Sequence, residues 1–251
     1  RMGVGVRRLA IANARVTGLE LDNGMTIHAQ HVLSSAGAVE TGQLCNPCLV
    51  DSPFCPEYNT GRLSFTETIT VLDCQPSELG WHDTIIFFND SDRLCYRRPD
   101  DLVDLRSGVI CLPNNYRYDE ARLLPEGILR VTAMANYEQW RRLDNEDYPS
   151  AKKHWYGLLQ NQALKYLDGN LSFSALSQHT LALDMFTPTT ITRFTGHREG
   201  AIYGSPQKIR DGATPVQNLY LCGTDQGFLG ITGAMLSGIS MANYHIIGKP
   251  A

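Results

Sequence analysis

Long hydrophobic runs are absent from this 251-residue chain. Without a stretch of about 18 apolar residues there is no transmembrane helix. The opening Gly3-Val4-Gly5-Val6-Arg7-Arg8 holds no apolar core of signal-peptide length. Positive charge is scarce as well. The 22 Lys and Arg stand against 26 Asp and Glu, a formal charge of -4, which argues against a nucleic-acid-binding surface. The 7 cysteines are odd in number and spread over a long chain, a usage that fits a reducing compartment better than a disulfide scaffold. Cys45-Asn46-Pro47-Cys48 is a lone C-x2-C pair. Zinc sites usually pair two such knuckles, or one with a histidine pair, so no metal site is expected, and Cys45, Cys48, Cys55 and Cys74 read as unpaired thiols. The motif G-x-S-x-G is missing, which removes a nucleophile elbow. These exclusions leave a globular protein expected in the cytoplasm, long enough for one large domain or two modest ones.

What is there begins with a hairpin. Residues 15–21 alternate polar and apolar, Asp22-Asn23-Gly24 supplies the turn, and residues 25–29 alternate back out. Residues 31–37 form an apolar strand running into small residues, where a backbone or a ligand can approach closely. From about residue 40 to 195 the texture changes. A Cys-, Pro- and Asn-rich loop over 43–60 precedes strand-like runs at 63–72, 84–89, 109–112 and 127–135, which predict a mostly antiparallel sheet. One helix is predicted over 149–167, with Asp147 or Ser150 as cap, Pro149 in the first turn and Gly169 at the stop. Ala151, Trp155, Leu158, Leu159 and Gln162 share its core-facing stripe, continued by Tyr166. With residues 84–88 and 129–134 this helix lines a lipophilic tunnel or packs as plain core.

The last fifty-odd residues carry the most information. Asn218-Leu219-Tyr220-Leu221-Cys222-Gly223 is a short buried strand ending in glycine, and Thr224-Asp225-Gln226-Gly227-Phe228-Leu229-Gly230 is a loop with two more glycines. From Ile231 or Thr232 to Ile247 the residues form a helix, with small ones (Ala234, Ser237, Gly238, Ala242) and Met241 on one side. Such a loop offers unpaired backbone N–H groups and the positive end of a helix dipole to a ligand. Asp225 is placed to bond a polyol hydroxyl. Spacing alone leaves open whether these glycines serve a ligand or only packing.

The run NLYLCGTDQGFLGITGAMLSGISMAN, Asn218 to Asn243, resembles the C-terminal flavin-contacting motif of the phytoene desaturase family. That family belongs to the wider group of FAD-dependent, amine-oxidase-like oxidoreductases. Upstream, Phe186-Thr187-Pro188-Thr189-Thr190 and the stretch from Gly196 to Gly204 resemble the segment placed before that motif, and the opening hairpin with residues 32–37 resembles a stretch of the family's FAD domain. The resemblance implies FAD as cofactor. It sets Gly223 and Asp225 on the ribityl–pyrophosphate side, with Thr224 between them among the cofactor-binding residues, and Gly230, Ile231 and Thr232 at the pyrimidine edge of the ring, with Gly233 and Ala234 opening the helix behind them. Val6 falls on a position whose backbone reaches the adenine, and Ala36 and Gly37 on the strand end near the adenosine half. The loop is one residue shorter than in many desaturases, with Thr224 standing before Asp225.

These enzymes begin with a strand, G-x-G-x-x-G and a helix, and that arrangement is missing: Arg8 stands where Gly3 and Gly5 would require a third glycine. The chain is therefore expected to be the C-terminal portion of a longer flavoprotein, inactive alone, with the N-terminal FAD-binding half as its partner. The expected fold is α/β (α+β): residues 1–40 as strands left from a Rossmann-like FAD-binding domain, 41–195 as a substrate-binding domain on an antiparallel sheet, and 196–251 as the return to the FAD-binding domain. The implied reaction is hydride transfer between an apolar isoprenoid or polyene and the flavin. An apolar C–H substrate gives an acid or base little to hold, so no catalytic residue is named. His197, Arg198 and Tyr203 are candidates for the substrate side, and a solvated charged loop is the other reading of His197-Arg198-Glu199. Two alternatives stand beside this one: an amine-oxidase-like flavoenzyme acting on a small substrate, and a non-catalytic fragment that binds no cofactor by itself. Peripheral membrane contact is expected only through the substrate, since no clear amphipathic anchor is visible.

Overall fold

A computed structural model describes residues 3–51, 53–119 and 124–248; residues 1–2 and 249–251, the ends of the first and last expected domains, lie outside them. Along the chain run strands β1 (Val6–Ala12), β2 (Arg15–Leu21), β3 (Thr26–His28) and β4 (Val32–Ser34), then helices α1 (Ala38–Leu44) and α2 (Pro56–Asn59). Strands β5 (Ser64–Leu72), β6 (Ile85–Asn89), β7 (Val103–Cys111) and β8 (Gly127–Ala135) follow, then helices α3 (Tyr137–Arg142), α4 (Asp147–Leu164) and α5 (Phe173–Gln178). Strand β9 (Thr180–Phe186), helix α6 (Pro188–Thr195), strand β10 (Leu219–Leu221) and helix α7 (Gly230–Ala242) complete the order, with a π-helical turn over Asn243–Ile247. The chain divides into two compact units, Arg1–Gly61 with Ala201–Ala251, and Arg62–Gly200, where the sequence suggested changes near 40 and 195.

In the first unit β1, β2 and β3 form an antiparallel sheet, and the expected turn is in place, with Leu21 N bonded to Met25 O and Gly24 at φ +81°. A separate two-stranded sheet pairs β10 with β4 in parallel, Leu219 opposite Val32 and Leu221 opposite Ser34. Leu9, Val16, Cys45, Val216 and Leu219 pack as one cluster, and Ala38, Phe54 and Leu221 as another. Helix α1 falls where the sequence suggested strand end and loop. Its Gly42 explains part of that difference: a Cβ there would stand 2.9 Å from the Phe54 Cβ, so packing sets the residue against helix propensity.

The second unit is built on an antiparallel sheet of order β6-β7-β8-β5-β9. Strand β5 alternates strictly, burying Ser64, Thr66, Thr68, Thr70 and Leu72 on its inner face. Helix α4 meets that face with polar groups: the Tyr156 hydroxyl lies 2.6 Å from Thr70 Oγ1, and Gln160 Nε2 donates to Thr68 Oγ1 at 2.7 Å. The buried stripe of α4 is therefore Tyr156, Leu159, Gln160, Gln162, Ala163 and Leu164, overlapping the expected one only in part, because threonines beneath demand hydrogen-bonding partners. Glu146 precedes the helix, so neither Asp147 nor Ser150 caps it, while Pro149 does sit in the first turn. Leu129 and Val131 are wholly buried and Trp155 packs against the same cluster, so the helix and the 129–134 strand read as core, whereas Ile85 and Phe87 of the 84–88 strand are exposed. Each fully buried Leu or Ile here contributes about 1.5–3 kcal/mol. Strand β7 is longer than expected because a bulge between Val103 and Gly108 carries it past the charged Asp104–Arg106 pair. No helix among the described residues is long and apolar enough to cross a membrane.

Candidate functional site

The segment after β10 turns at Gly223, whose φ of +83° and ψ of -149° put it in a region that glycine alone occupies readily. Its N–H donates to Ser237 Oγ at 2.7 Å, which ties the strand end to a wholly buried residue in the middle of α7. A short 3-10 turn, Thr224–Gln226, follows. Asp225 within it is 2% exposed, and its carboxylate is turned inward. Oδ2 accepts the Ala38 N–H at 2.7 Å; Oδ1 accepts the Ser205 N–H at 2.7 Å and Lys208 Nζ at 3.2 Å. Helix α1 has no cap from its own Gly37, so Asp225 fills that role from a distant part of the chain, a negative charge at the positive end of a helix. Gly204 makes room for this carboxylate: a Cβ there would stand 2.0 Å from Oδ1.

Beyond Gly227 the chain comes to the surface. Phe228, Leu229 and Gly230 are exposed, Gly230 holds φ +72°, and apart from its chain neighbours and its own helix backbone no atom of the described residues lies within 4 Å of where its Cβ would be. Helix α7 starts there without a side-chain cap. The amides of Gly230, Ile231 and Thr232 have no acceptor among the described residues, which leaves a positively polarised helix end beside open space. One flank of α7 packs inward through Ser237 and Met241, as the small-residue pattern suggested. The other flank is apolar and open, with Ile231 85% exposed, Met235 65% and Ile239 57%. Burial pushes the Cys222 thiol, just after β10, up from its ordinary value. Two buried acceptors flank Asp225 without partners among the described residues, Ser205 Oγ and Gln226 Oε1.

The structure brings Ala36, Gly37, Gly223 and Asp225 into one neighbourhood. A Cβ on Gly37 would lie 3.5 Å from Asp225 Oδ2, and one on Gly223 would lie 3.7 Å from the Ser35 Cβ. Ala36 N reaches Ser34 Oγ at 3.5 Å. Thr224 is half-buried in the same turn, and Ala234 is half-buried in the second turn of α7. Val6 begins β1, in the other sheet of this unit, paired with Leu21. His197 and Arg198 belong to the second unit, in the turn after α6 where Glu199 holds φ +53°, whereas Tyr203 belongs to the first, its carbonyl accepting Lys208 Nζ. Sequence reasoning passed over Ser205 and Lys208 as partners of Asp225. The available signal was Gly204 beside them, a residue with no side chain where a buried group must pass.

The outer face of the second unit's sheet carries one polar network among apolar side chains. Arg130 grips Glu67 through Nη2 at 2.8 Å to both carboxylate oxygens, and Thr132 Oγ1 donates to Oε2 at 2.9 Å. That pairing raises the already high Arg130 pKa, so the guanidinium stays charged. Ile69, Val71, Val109 and Ile128 surround it half-buried, and Phe87 is 79% exposed. Glu67 is thus neutralised in place and offers no free carboxylate to a cationic ligand.

No protein-family model matches the sequence, and no curated protein matches it. Solved structures do. An oxidoreductase from Methanosarcina mazei shares 14% identity at a TM-score of 0.57, over 96% of this chain and 49% of that one. A mutant putrescine oxidase, from a structure-based redesign of its cofactor binding, shares 14% identity at a TM-score of 0.59, over 98% and 49%. Cyclohexylamine oxidase from Brevibacterium oxydans shares 11% identity at 0.54, over 98% and 47%. The likeness is one of fold, and this chain spans about half the length of each of these structures. The fold is accordingly a mixed α/β (α+β) one, as the sequence suggested.

Proposed function

We propose that the chain is the flavin-facing part of an FAD-dependent oxidoreductase. The observation that carries this reading is the uncapped start of α7: three unpaired amides at Gly230, Ile231 and Thr232, behind a glycine that leaves the space before them open. A flavin fits such a place, because the ring's pyrimidine edge carries partial negative charge and the flat ring needs a backbone without a Cβ. Bound there, the flavin supplies hydride acceptance. The chain's own residues supply position and charge. The α7 amides would donate to the ring edge and Gly223 would let the strand end approach the ribityl chain, while Asp225 holds the loop from within by pinning α1, Ser205 and Lys208 to it. The unpartnered Ser205 and Gln226 oxygens fit a polar ligand nearby. The open apolar flank of α7 suits coverage by a further half of the fold that carries the adenosine site, in keeping with a chain about half the length of its structural neighbours.

For the substrate, the leading reading is an apolar isoprenoid or polyene, from the resemblance of residues 218–243 to the phytoene desaturases. The neutralised Glu67 and the half-buried aliphatic face around it support this choice, since they offer apolar area and no free anion. A small amine is the second reading, favoured by the names of two structural neighbours, a putrescine oxidase and a cyclohexylamine oxidase. Titrating FAD with the purified chain and reading fluorescence anisotropy tests the cofactor assignment. A saturable rise that Gly230→Val removes is expected; a rise that Gly230→Val leaves unchanged overturns it. Anaerobic bleaching of the bound flavin by a primary amine would select the second substrate reading over the first.

A further inference from the structure

The end of β5 and the start of β9 lie side by side, and they bring together three side chains that the sequence keeps far apart. Asp73 and Cys74 follow β5, while His179 stands between α5 and β9, 105 positions beyond Cys74. The backbone fixes this meeting: Asp73 N donates to His179 O at 2.9 Å, and His179 N donates to Leu176 O at 3.1 Å. A Cβ on Gly127 would stand 2.1 Å from the Cys74 carbonyl oxygen, so β8 presses close behind the cysteine. Asp73 Oδ1 lies 3.0 Å and Cys74 Sγ 3.8 Å from the same atom, His179 Nδ1, and one donor atom from each residue falls within 4.8 Å of the others.

We propose that Asp73, Cys74 and His179 bind one divalent transition-metal ion of the zinc class. The donor set is one carboxylate oxygen, one thiolate and one imidazole nitrogen, the ligand types zinc takes. Ideal tetrahedral bond lengths separate an oxygen from a nitrogen by about 3.4 Å and a sulfur from a nitrogen by about 3.6 Å, so the observed 3.0 and 3.8 Å stand within a few tenths of an ångström of those two separations. Asp73 is 47% and His179 39% exposed by side chain, so an ion can enter and water can take the fourth position. Binding releases the thiol proton to solvent as the metal–sulfur bond forms. Asp73 brings a carboxylate to the cluster and Glu78 stands a few residues on, so the surroundings are negative and draw in a dication. The ion would clamp two neighbouring strands of the sheet at their ends. Sequence spacing hides such a site, because neither a paired knuckle nor a short Cys–His interval announces it.

Titration of the full chain with cobalt(II), under a phosphine reductant, tests this directly. A thiolate-to-cobalt charge-transfer band with tetrahedral ligand-field bands is expected, saturating at one ion per chain and reversed by zinc. Cys74→Ser should remove the charge-transfer band, and His179→Gln or Asp73→Asn should weaken binding at least about tenfold. The double variant Cys45→Ser/Cys48→Ser should leave all bands unchanged. Far-ultraviolet circular dichroism establishes that each variant is folded, and Asp73→Asn, at a half-exposed side chain, keeps the test open should Cys74→Ser fail to fold. Absence of the band in the folded wild type overturns the proposal. So does a band that survives Cys74→Ser and disappears in the Cys45/Cys48 variant.

Discussion

Replacing Asp225 with alanine should destabilise the chain far more than loss of a ligand contact would. The carboxylate is 2% exposed and holds donors from separate parts of the chain: Ala38 N, Ser205 N and Lys208 Nζ. Removing it leaves two backbone N–H groups unpartnered at about 1–3 kcal/mol each. Lys208 adds less, because it is 25% exposed by side chain and keeps the Tyr203 carbonyl. The total is about 3–5 kcal/mol, the range found when one partner of a buried ionic group is removed. Urea unfolding followed by circular dichroism reads this. With a slope of about 2–3 kcal/mol/M, the midpoint should fall by about 1–2 M. Lys208→Met should cost well under half as much, and Asp225→Asn should fall between, since its amide keeps one acceptor and turns two donors toward other donors. An Asp225→Ala midpoint equal to wild type, as a surface ligand contact would give at about 0.5 kcal/mol or less, would defeat the internal-anchor role.

Three further outcomes are expected. Tyr156→Phe should cost about 1–2 kcal/mol in the same unfolding assay, because it strands the buried Thr70 hydroxyl; no loss would mean the polar face between α4 and β5 is not satisfied as described. The Arg106 guanidinium holds the Asp104 carboxyl below the usual carboxylate range, so its stabilising effect is present above the unfolded pKa and is lost as pH falls through the lower folded value. Stability should therefore drop below about pH 4, and Asp104→Asn should flatten that drop in a pH series of unfolding midpoints. Burial, and then Cys48, push the Cys45 thiol up to about 11. Timed alkylation with peptide mapping should find exposed Cys48 modified well before Cys45, whose thiolate is about a hundredfold scarcer at neutral pH than that of an ordinary thiol; equal rates would contradict the burial.

Much of the fold was legible because local chemistry and tertiary packing agree. Asp22-Asn23-Gly24 between alternating runs predicted the β2–β3 turn, and the strand-like runs at 63–72 and 127–135 predicted strands of an antiparallel sheet, which pair as β5 and β8. The misses have physical causes. Thr180–Phe186 forms the edge strand β9, where Leu181 and Leu183 stay 61% and 59% exposed, so no buried face imprints a period on it. The stripe of α4 was read only in part: Ala151, Trp155, Leu159, Gln162 and Tyr166 do face the core, but an apolar-face rule cannot anticipate Tyr156 and Gln160, which bond the buried threonines of β5. At the site, the glycines at 223 and 230 and the small flank of α7 were visible in spacing alone. The role of Asp225 was not, because its partners lie 187, 20 and 17 positions away, and only folding brings them to one carboxylate.

Amide hydrogen exchange of the chain with and without FAD tests the flavin-facing role of the last segment most directly, because it reads the very groups invoked. Slower exchange on adding FAD is expected at Gly230, Ile231 and Thr232, the open amides of α7, and at Gly223, with the outer strands of the second unit unchanged. Unchanged exchange at 230–232 under saturating FAD, or protection confined to other segments, would contradict it.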